Sequence, residues 1–207
     1  MIIVGHGPSL ASKNLGREID SHDFVVRLKY GHELTRINPA SYGTRTDAIC
    51  STLKTWRPYY KIRPKIKEWW GYRNWPGQEK ELEKIKLYYT DITIRTEFEA
   101  VDKWLATYRS LADVKVDYKD KWSSYAKEGD EPWCSTGMGA IIIGCSSYKP
   151  TELVLAGFDN LVSGKKDGFQ SIFREKGWIY PPHGWQAENK MLPLIAAAYG
   201  VNIRSLA

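Results

Sequence analysis

Ile2-Ile3-Val4-Gly5-His6-Gly7-Pro8-Ser9-Leu10 decides how the rest of the chain is read. Three β-branched residues in a row make a short, fully buried strand. Gly5, Gly7 and Pro8 then force a tight turn, and Ser9 is a good cap for a helix running to about residue 17. Strand, glycine turn and helix in that order begin a β-α-β unit. Two more short apolar runs, residues 24–28 and 47–50, supply the next strands. Further along, helices are expected over 78–85, 98–111, 136–145 and 184–199. Strands are expected over 87–90, 153–156 and 201–203, and Gly200 serves as a helix C-cap. Short β-rich runs alternating with helical stretches argue for an α/β fold with a mostly parallel central sheet flanked by helices.

The chain has 207 residues, 43% of them hydrophobic and 26% charged. This is ordinary for a globular domain and excludes disordered and fibrous classes. The length suits one domain spanning residues 1–207. No apolar run approaches the roughly 18–20 residues needed to cross a bilayer. Met1 leads straight into the first strand, so no signal peptide is expected. Cys50, Cys134 and Cys145 form no metal-binding spacing, and their odd number argues against a disulfide framework. A cytoplasmic location is the expectation.

The net charge of +6 is concentrated. Residues 54–89 hold ten cations and four carboxylates, a surplus equal to that of the whole chain, together with nine aromatics. This stretch is expected to be a basic aromatic insert decorating the domain. Its cations and rings suit an anionic glycan, a membrane surface carrying a lipid-linked acceptor, or nucleic acid read through phosphate contacts and stacking. The bland alternative is a solvated helix face over an aromatic core, which the mixed charges of residues 79–86 fit. Arg63, Trp69 and Trp70 are the candidate acceptor contacts.

Three segments carry candidate chemistry. The Gly5–Ser9 turn lies where open α/β sheets bind ligands, although it is neither a GxGxxG nor a Walker loop. Pro132-Trp133-Cys134-Ser135-Thr136-Gly137 precedes an apolar helix. It is either a plain N-cap or an anion or sugar site at a helix start. His183 follows the rigid Tyr180-Pro181-Pro182 turn at the start of another helix, whose positive end favours a neutral imidazole able to accept a proton. Glu188 lies five residues on, about 140° around the helix, and is poorly placed to pair with His183.

In order and spacing these segments resemble the L, S and very short sialylmotifs of the animal-type sialyltransferase family. The L motif is matched by residues 2–10, Gly16, Ile19-Asp20, Asp23, Val26-Arg27-Leu28 and Tyr42-Gly43-Thr44-Arg45-Thr46. The S motif is matched by Ser135-Thr136-Gly137-Met138 and residues 153–158. The very short motif is matched by His183 and Glu188. Bacterial sialyltransferases with a GNGPSL-like loop share this chemistry.

The resemblance implies a GT-A-like Rossmann domain. It implies a metal-independent, inverting glycosyltransferase that moves sialic acid or a related sugar from a CMP-activated donor to an acceptor hydroxyl on a glycan, with no cofactor. No Asp-x-Asp motif occurs, in keeping with that. By position, His183 would be the general base, with Glu188 the second catalytic residue. Gly5, His6, Gly7, Ser9 and Lys29 would line the nucleotide pocket, and Ser135, Thr136 and Gly137 would contact the donor. The amides of the Gly5–Ser9 loop would receive the leaving phosphate.

The chain departs from the family where His6 and Lys29 replace asparagines. It also lacks a clear counterpart of the motif whose histidine steadies the leaving phosphate. Tyr180, Lys165, Lys166 or Arg174 would then take that role. Two other readings stay open: a glycosyltransferase acting on modified DNA bases, and a non-catalytic nucleotide- or glycan-binding module.

Overall fold

Seven parallel strands form one sheet in the order β5-β4-β3-β2-β1-β6-β7. The computed structural model describes residues 1–53, 66–72, 79–111, 134–159, 161 and 185–206. The strands are β1 (Ile2–Val4), β2 (Val25–Leu28), β3 (Ala48–Thr52), β4 (Glu68–Tyr72), β5 (Thr93–Arg95), β6 (Glu152–Ala156) and β7 (Asn202–Ser205). The helices are α1 (Gly16–Ser21), α2 (Gly31–Ile37), α3 (Pro39–Tyr42), α4 (Lys80–Tyr88), α5 (Phe98–Leu111), α6 (Thr136–Ile143) and α7 (Trp185–Tyr199). The chain starts in the middle of the sheet, builds outward to β5, and returns to place β6 on the other side of β1. The strand order therefore reverses between β1 and β6.

The period of two along each strand explains the layers. Ile3, Val26, Leu28, Ala48, Cys50, Trp70, Tyr72, Leu153 and Leu155 face α5, α6 and α7. Ile2, Val4, Val25, Val154 and Ala156 face the opposite way, onto Leu10, Ile19, Leu34 and Tyr42. Farther along that face, Ile49, Leu53 and Trp69 meet Ile85 and Tyr89. Burial on both faces is why these strands read as unbroken apolar runs. Helix α6 is buried on every side, so it carries no polar stripe. Its small residues let it lie close to the sheet. A Cβ on Gly139 would come within 2.9 Å of the Tyr72 ring, and one on Gly137 within 2.6 Å of the Phe158 ring.

Several sequence expectations are corrected. Residues 54–89 are not a decoration as a whole, because β4 and α4 within them are parts of the central sheet and its helical layer. Trp69 and Trp70 lie on opposite faces of β4 and are each 0% exposed, so neither is an acceptor contact. Alternating aromatics beside lysines look alike on a surface and in a buried strand. The strand expected at 87–90 is instead the end of α4 and the turn after it, and β5 begins at Thr93. Helical spacing wins there because Ile85 and Tyr89 share the buried face, while Leu87 is 80% exposed.

The helix expected from Ser9 is only a 3-10 turn, Pro8–Leu10. The α-helix begins at Gly16, packed so closely on α3 that a Cβ would sit 2.1 Å from the Pro39 carbonyl oxygen. Helices α2 and α3 are additional to the helices expected from the sequence. The helix expected over 136–145 ends at Ile143 and continues as a π turn over Gly144–Tyr148. Helix α5 falls on the expected residues, and Gly200 takes the left-handed conformation expected of a C-cap, with φ +65°.

Candidate functional site

Register sets the floor of the site. Val4 lies opposite both Arg27 and Ala156, so the loops after β1, β2 and β6 leave the sheet at one level. This is the carboxyl edge at a point of strand-order reversal, the place where open α/β sheets bind ligands.

The loop after β1 is fastened to the loop after β6. The Gly5 amide donates to the Ala156 carbonyl at 2.8 Å, and the Gly7 amide to the Gly157 carbonyl at 2.9 Å. The Ser9 amide donates to Asp159 Oδ2 at 2.9 Å, and Ser9 Oγ donates to Asp159 Oδ1 at 2.5 Å. The glycines permit this closure. A Cβ on Gly5 would fall 2.5 Å from the Gly157 carbonyl oxygen, and one on Gly7 2.6 Å from Asp159 Oδ1. The amides of Gly5, Gly7 and Ser9 are thus engaged within the protein and are not aimed at a phosphate, which corrects the role expected of that loop. Asp159 was missed as a site residue. Its sequence signal was an acid two positions beyond a strand-ending glycine, and Gly157 indeed has φ +70°.

His6 sits between the ends of β1 and β2. A carbonyl only accepts, so the 2.6 Å contact to the Leu28 oxygen means that Nε2 carries the proton. Burial, with help from the Lys29 and Arg27 charges, pushes its pKa down to about 4, so the ring is neutral near pH 7. Gly31 backs it: a Cβ there would lie 3.2 Å from Nε2. Lys29, the first residue past β2, is in the left-handed region at φ +43°, with its amide donating to the Cys50 carbonyl at 2.8 Å. Arg27, buried on β2, holds the loop after α3 through the Tyr42 carbonyl (2.8 Å), the Arg45 carbonyl (2.8 Å) and Thr46 Oγ1 (3.0 Å).

The second half of the site is the start of α6. Ser135 is its N-cap, with Oγ accepting from the Met138 amide at 3.1 Å. The same hydroxyl donates to Glu188 Oε2 at 2.8 Å, and the Ser135 amide donates to Glu188 Oε1 at 2.5 Å. Glu188 is 0% exposed, and burial pushes its pKa up to about 7 in spite of the Ser135 bonds. Next to it, the Tyr72 hydroxyl donates to Thr136 Oγ1 at 3.1 Å. Burial raises the Tyr72 phenol well above its usual range, which keeps it a donor.

These contacts revise three expected roles. Glu188 clamps the head of α6, a positioning contact that the expected catalytic role does not include. The Ser135 hydroxyl gives its proton to Glu188 and accepts from the Met138 amide, so it can meet a donor only as an acceptor. The space left by the missing side chain of Gly137 is filled by Phe158. The structure does bring together Gly5, His6, Gly7, Ser9 and Lys29 on one side, and Ser135, Thr136, Gly137 and Glu188 on another. His183, Tyr180 and Arg63, with Lys165, Lys166 and Arg174, lie outside the described residues.

Among the described residues, no group of three or more His, Cys, Asp or Glu could hold a metal ion. No helix among them is long and apolar enough to cross a membrane.

No protein-family model matches the chain, and no curated protein matches it in sequence. Solved structures do. A mammalian sialyltransferase crystallised with Gal-beta-1-3GalNAc-ortho-nitrophenol matches with TM-score 0.58 at 19% identity, over 98% of this chain and 68% of that one. A second crystal structure of a mammalian sialyltransferase matches with TM-score 0.60 at 18% identity, over 98% and 67%. The chain has a sialyltransferase-like fold.

Proposed function

We propose that this chain, built on the sialyltransferase fold, is a metal-independent, inverting glycosyltransferase. It would move sialic acid or a related sugar from a CMP-linked donor to a glycan hydroxyl, in the cytoplasm or at the surface of its membrane. The observation that carries the reading is the Glu188–Ser135 clamp. It joins the matched very short motif to the matched S motif across 53 residues of sequence, at the carboxyl edge of the sheet.

On this reading, His183, two positions ahead of α7, takes the proton from the acceptor hydroxyl as that oxygen attacks the anomeric carbon. The bond from that carbon to the phosphate oxygen breaks, and CMP leaves with the electron pair. With the Gly5, Gly7 and Ser9 amides engaged, the leaving phosphate falls to the Thr136 and Gly137 amides, which have no intrahelical partner, and to a cation or to Tyr180. Lys29 is the described candidate for that cation. Arg63 remains a candidate acceptor contact, without Trp69 and Trp70. The burial of those two rings takes them out of nucleic-acid stacking as well, while Trp56, Tyr59, Tyr60 and Trp75 of the same stretch lie outside the described residues.

The test is CMP release from CMP-sialic acid, measured with and without a panel of glycan acceptors. Acceptor-stimulated turnover is expected, unaffected by a chelator, with inverted anomeric configuration in the product. His183→Ala should lose about 100- to 10,000-fold in rate while keeping CMP binding. Full activity in that variant would remove the base assignment. A melting-temperature response to UDP or GDP and none to CMP would overturn the donor. Failure to turn over or hydrolyse any donor would leave a binding module.

A further inference from the structure

We infer that Tyr72 is a positioning residue, which fixes the Thr136 hydroxyl as a hydrogen-bond donor toward the phosphate of the donor nucleotide. The inference rests on the nucleotide-sugar reading above and adds a residue that lies in none of the matched motifs.

The geometry starts at Gly139. Tyr72 is the last residue of β4, and its ring lies against α6, where a Cβ on Gly139 would come within 2.9 Å of it. Thr136 lies three residues before Gly139, on the same face of the helix. The ring therefore fits beside Gly139, and its hydroxyl ends at Thr136 Oγ1, 3.1 Å away.

Two hydroxyls in contact share one proton along the line between them. Tyr72 is 1% exposed and Thr136 6%. Among the described residues, Thr136 Oγ1 is the acceptor within reach of the phenol. A phenol closed off from water must spend its proton on the protein, because an unpaired buried donor is costly. Tyr72 therefore donates. A threonine hydroxyl has one proton and two lone pairs. With a lone pair taken by Tyr72, the Thr136 proton is turned away from β4 and must find its acceptor elsewhere.

Ser135 has the opposite arrangement, since its hydroxyl gives its proton to Glu188. The head of α6 thus carries two neighbouring hydroxyls of fixed and opposite sense. A carboxylate sets one to accept, and a phenol sets the other to donate. The Thr136 hydroxyl joins the Thr136 and Gly137 amides, which have no intrahelical partner, at the positive end of the helix. When the sugar departs, negative charge grows on the phosphate, and a donor already turned toward it costs no reorganisation.

The experiment is a double-mutant cycle on the full chain, Tyr72→Phe against Thr136→Val. It is read by calorimetric titration with CMP and with cytidine, which lacks the phosphate. Thr136→Val should weaken CMP binding about 10- to 100-fold, the range for a hydrogen bond to a charged group. Tyr72→Phe leaves Thr136 its hydroxyl but lets it turn, and should weaken CMP binding about 3- to 10-fold. Cytidine binding should change by less than about twofold in either variant. On the Thr136→Val background, Tyr72→Phe should have no further effect on CMP, because no hydroxyl is left to orient. On the Thr136→Ser background, which keeps a hydroxyl, its effect should return. A side chain acting only through packing would move CMP and cytidine together, with or without the Thr136 hydroxyl.

Unchanged CMP affinity in Tyr72→Phe overturns the inference and leaves the nucleotide reading in place. So does equal weakening of CMP and cytidine, or an undiminished effect of Tyr72→Phe on the Thr136→Val background. Thr136→Val orphans the phenol. If it does not melt cooperatively, the ratio of CMP to cytidine affinity in Tyr72→Phe decides alone. If CMP does not bind but another nucleoside monophosphate does, the donor reading fails, and the same cycle on that nucleotide and its nucleoside decides Tyr72. If no nucleotide binds, both fail.

Discussion

Glu68 and Glu188 are both buried carboxylates on the α6 side of the sheet. Glu68 opens β4 at the amino edge and meets Tyr148, just beyond α6. Glu188 meets Ser135, just ahead of α6, at the carboxyl edge. Their partners differ in kind. Glu68 binds the Arg95 guanidinium at 2.9 and 3.2 Å, Trp70 Nε1 at 2.8 Å and the Tyr148 hydroxyl. Arg95 also lies over the Tyr148 ring, 4.9 Å from its centre. These partners outweigh burial and hold the Glu68 carboxyl below its usual range. Glu188 has hydrogen bonds from neutral Ser135 groups alone among the described residues, and burial pushes it up to about 7. One edge of the sheet is locked in a single charge state, and the other is left poised. That division matches the proposed placement of the ligand site at the carboxyl edge.

The largest effect should come from the layer between the two carboxylates. Trp70→Ala should cost about 3–5 kcal/mol in denaturant titration, since it empties a fully buried ring from the core. If it instead weakened acceptor binding with stability unchanged, the reassignment of β4 to the core would be wrong.

Next come the carboxylates themselves. Glu188→Ala orphans a buried amide and hydroxyl and should cost about 2–4 kcal/mol, with loss of turnover as the head of α6 loosens. Glu68→Ala should cost less, about 1–2 kcal/mol, because Arg95 is a third exposed and can turn to water. Turnover in the surviving folded Glu68→Ala fraction should stay at the wild-type rate. Equal loss of turnover in the two variants would erase the distinction between the edges.

The smallest effects are in pH dependence. Glu188 has a folded pKa of about 7 against 4.5 as a free group. The native state therefore binds the extra proton between those values, and stability falls as pH rises through that window. Glu188→Gln lacks this penalty, so its stability relative to wild type should improve from pH 4.5 to 7. His6 has the opposite sign. Its folded pKa of about 4 lies below the usual 6.5, so it adds stability as pH rises from 4 to 6.5. His6→Asn should lose ground to wild type over that range. Glu68→Gln should show no such drift between pH 5 and 7. Melting temperatures of the three variants at half-unit steps would test all three signs.

Residues close in sequence told the truth about local form. The apolar runs of β1, β2, β3 and β6, the bounds of α5 and the C-cap at Gly200 follow from side-chain period and from a glycine's access to positive φ. The parallel α/β class followed from the alternation of such elements, and the motif order pointed to the fold that the solved structures share. Only the tertiary structure could decide what covers each face and what meets across the sheet. Trp69 and Trp70 are apolar rings in a charged neighbourhood, and nothing local separates a buried strand from a sticky surface. Ser9 and Asp159 are 150 residues apart, and Ser135 and Glu188 are 53 apart. Their hydrogen bonds exist because strand register brings distant loops to one edge. Period specifies which way a side chain faces, whereas the partner it finds depends on the crossover that returns β6 to the side of β1.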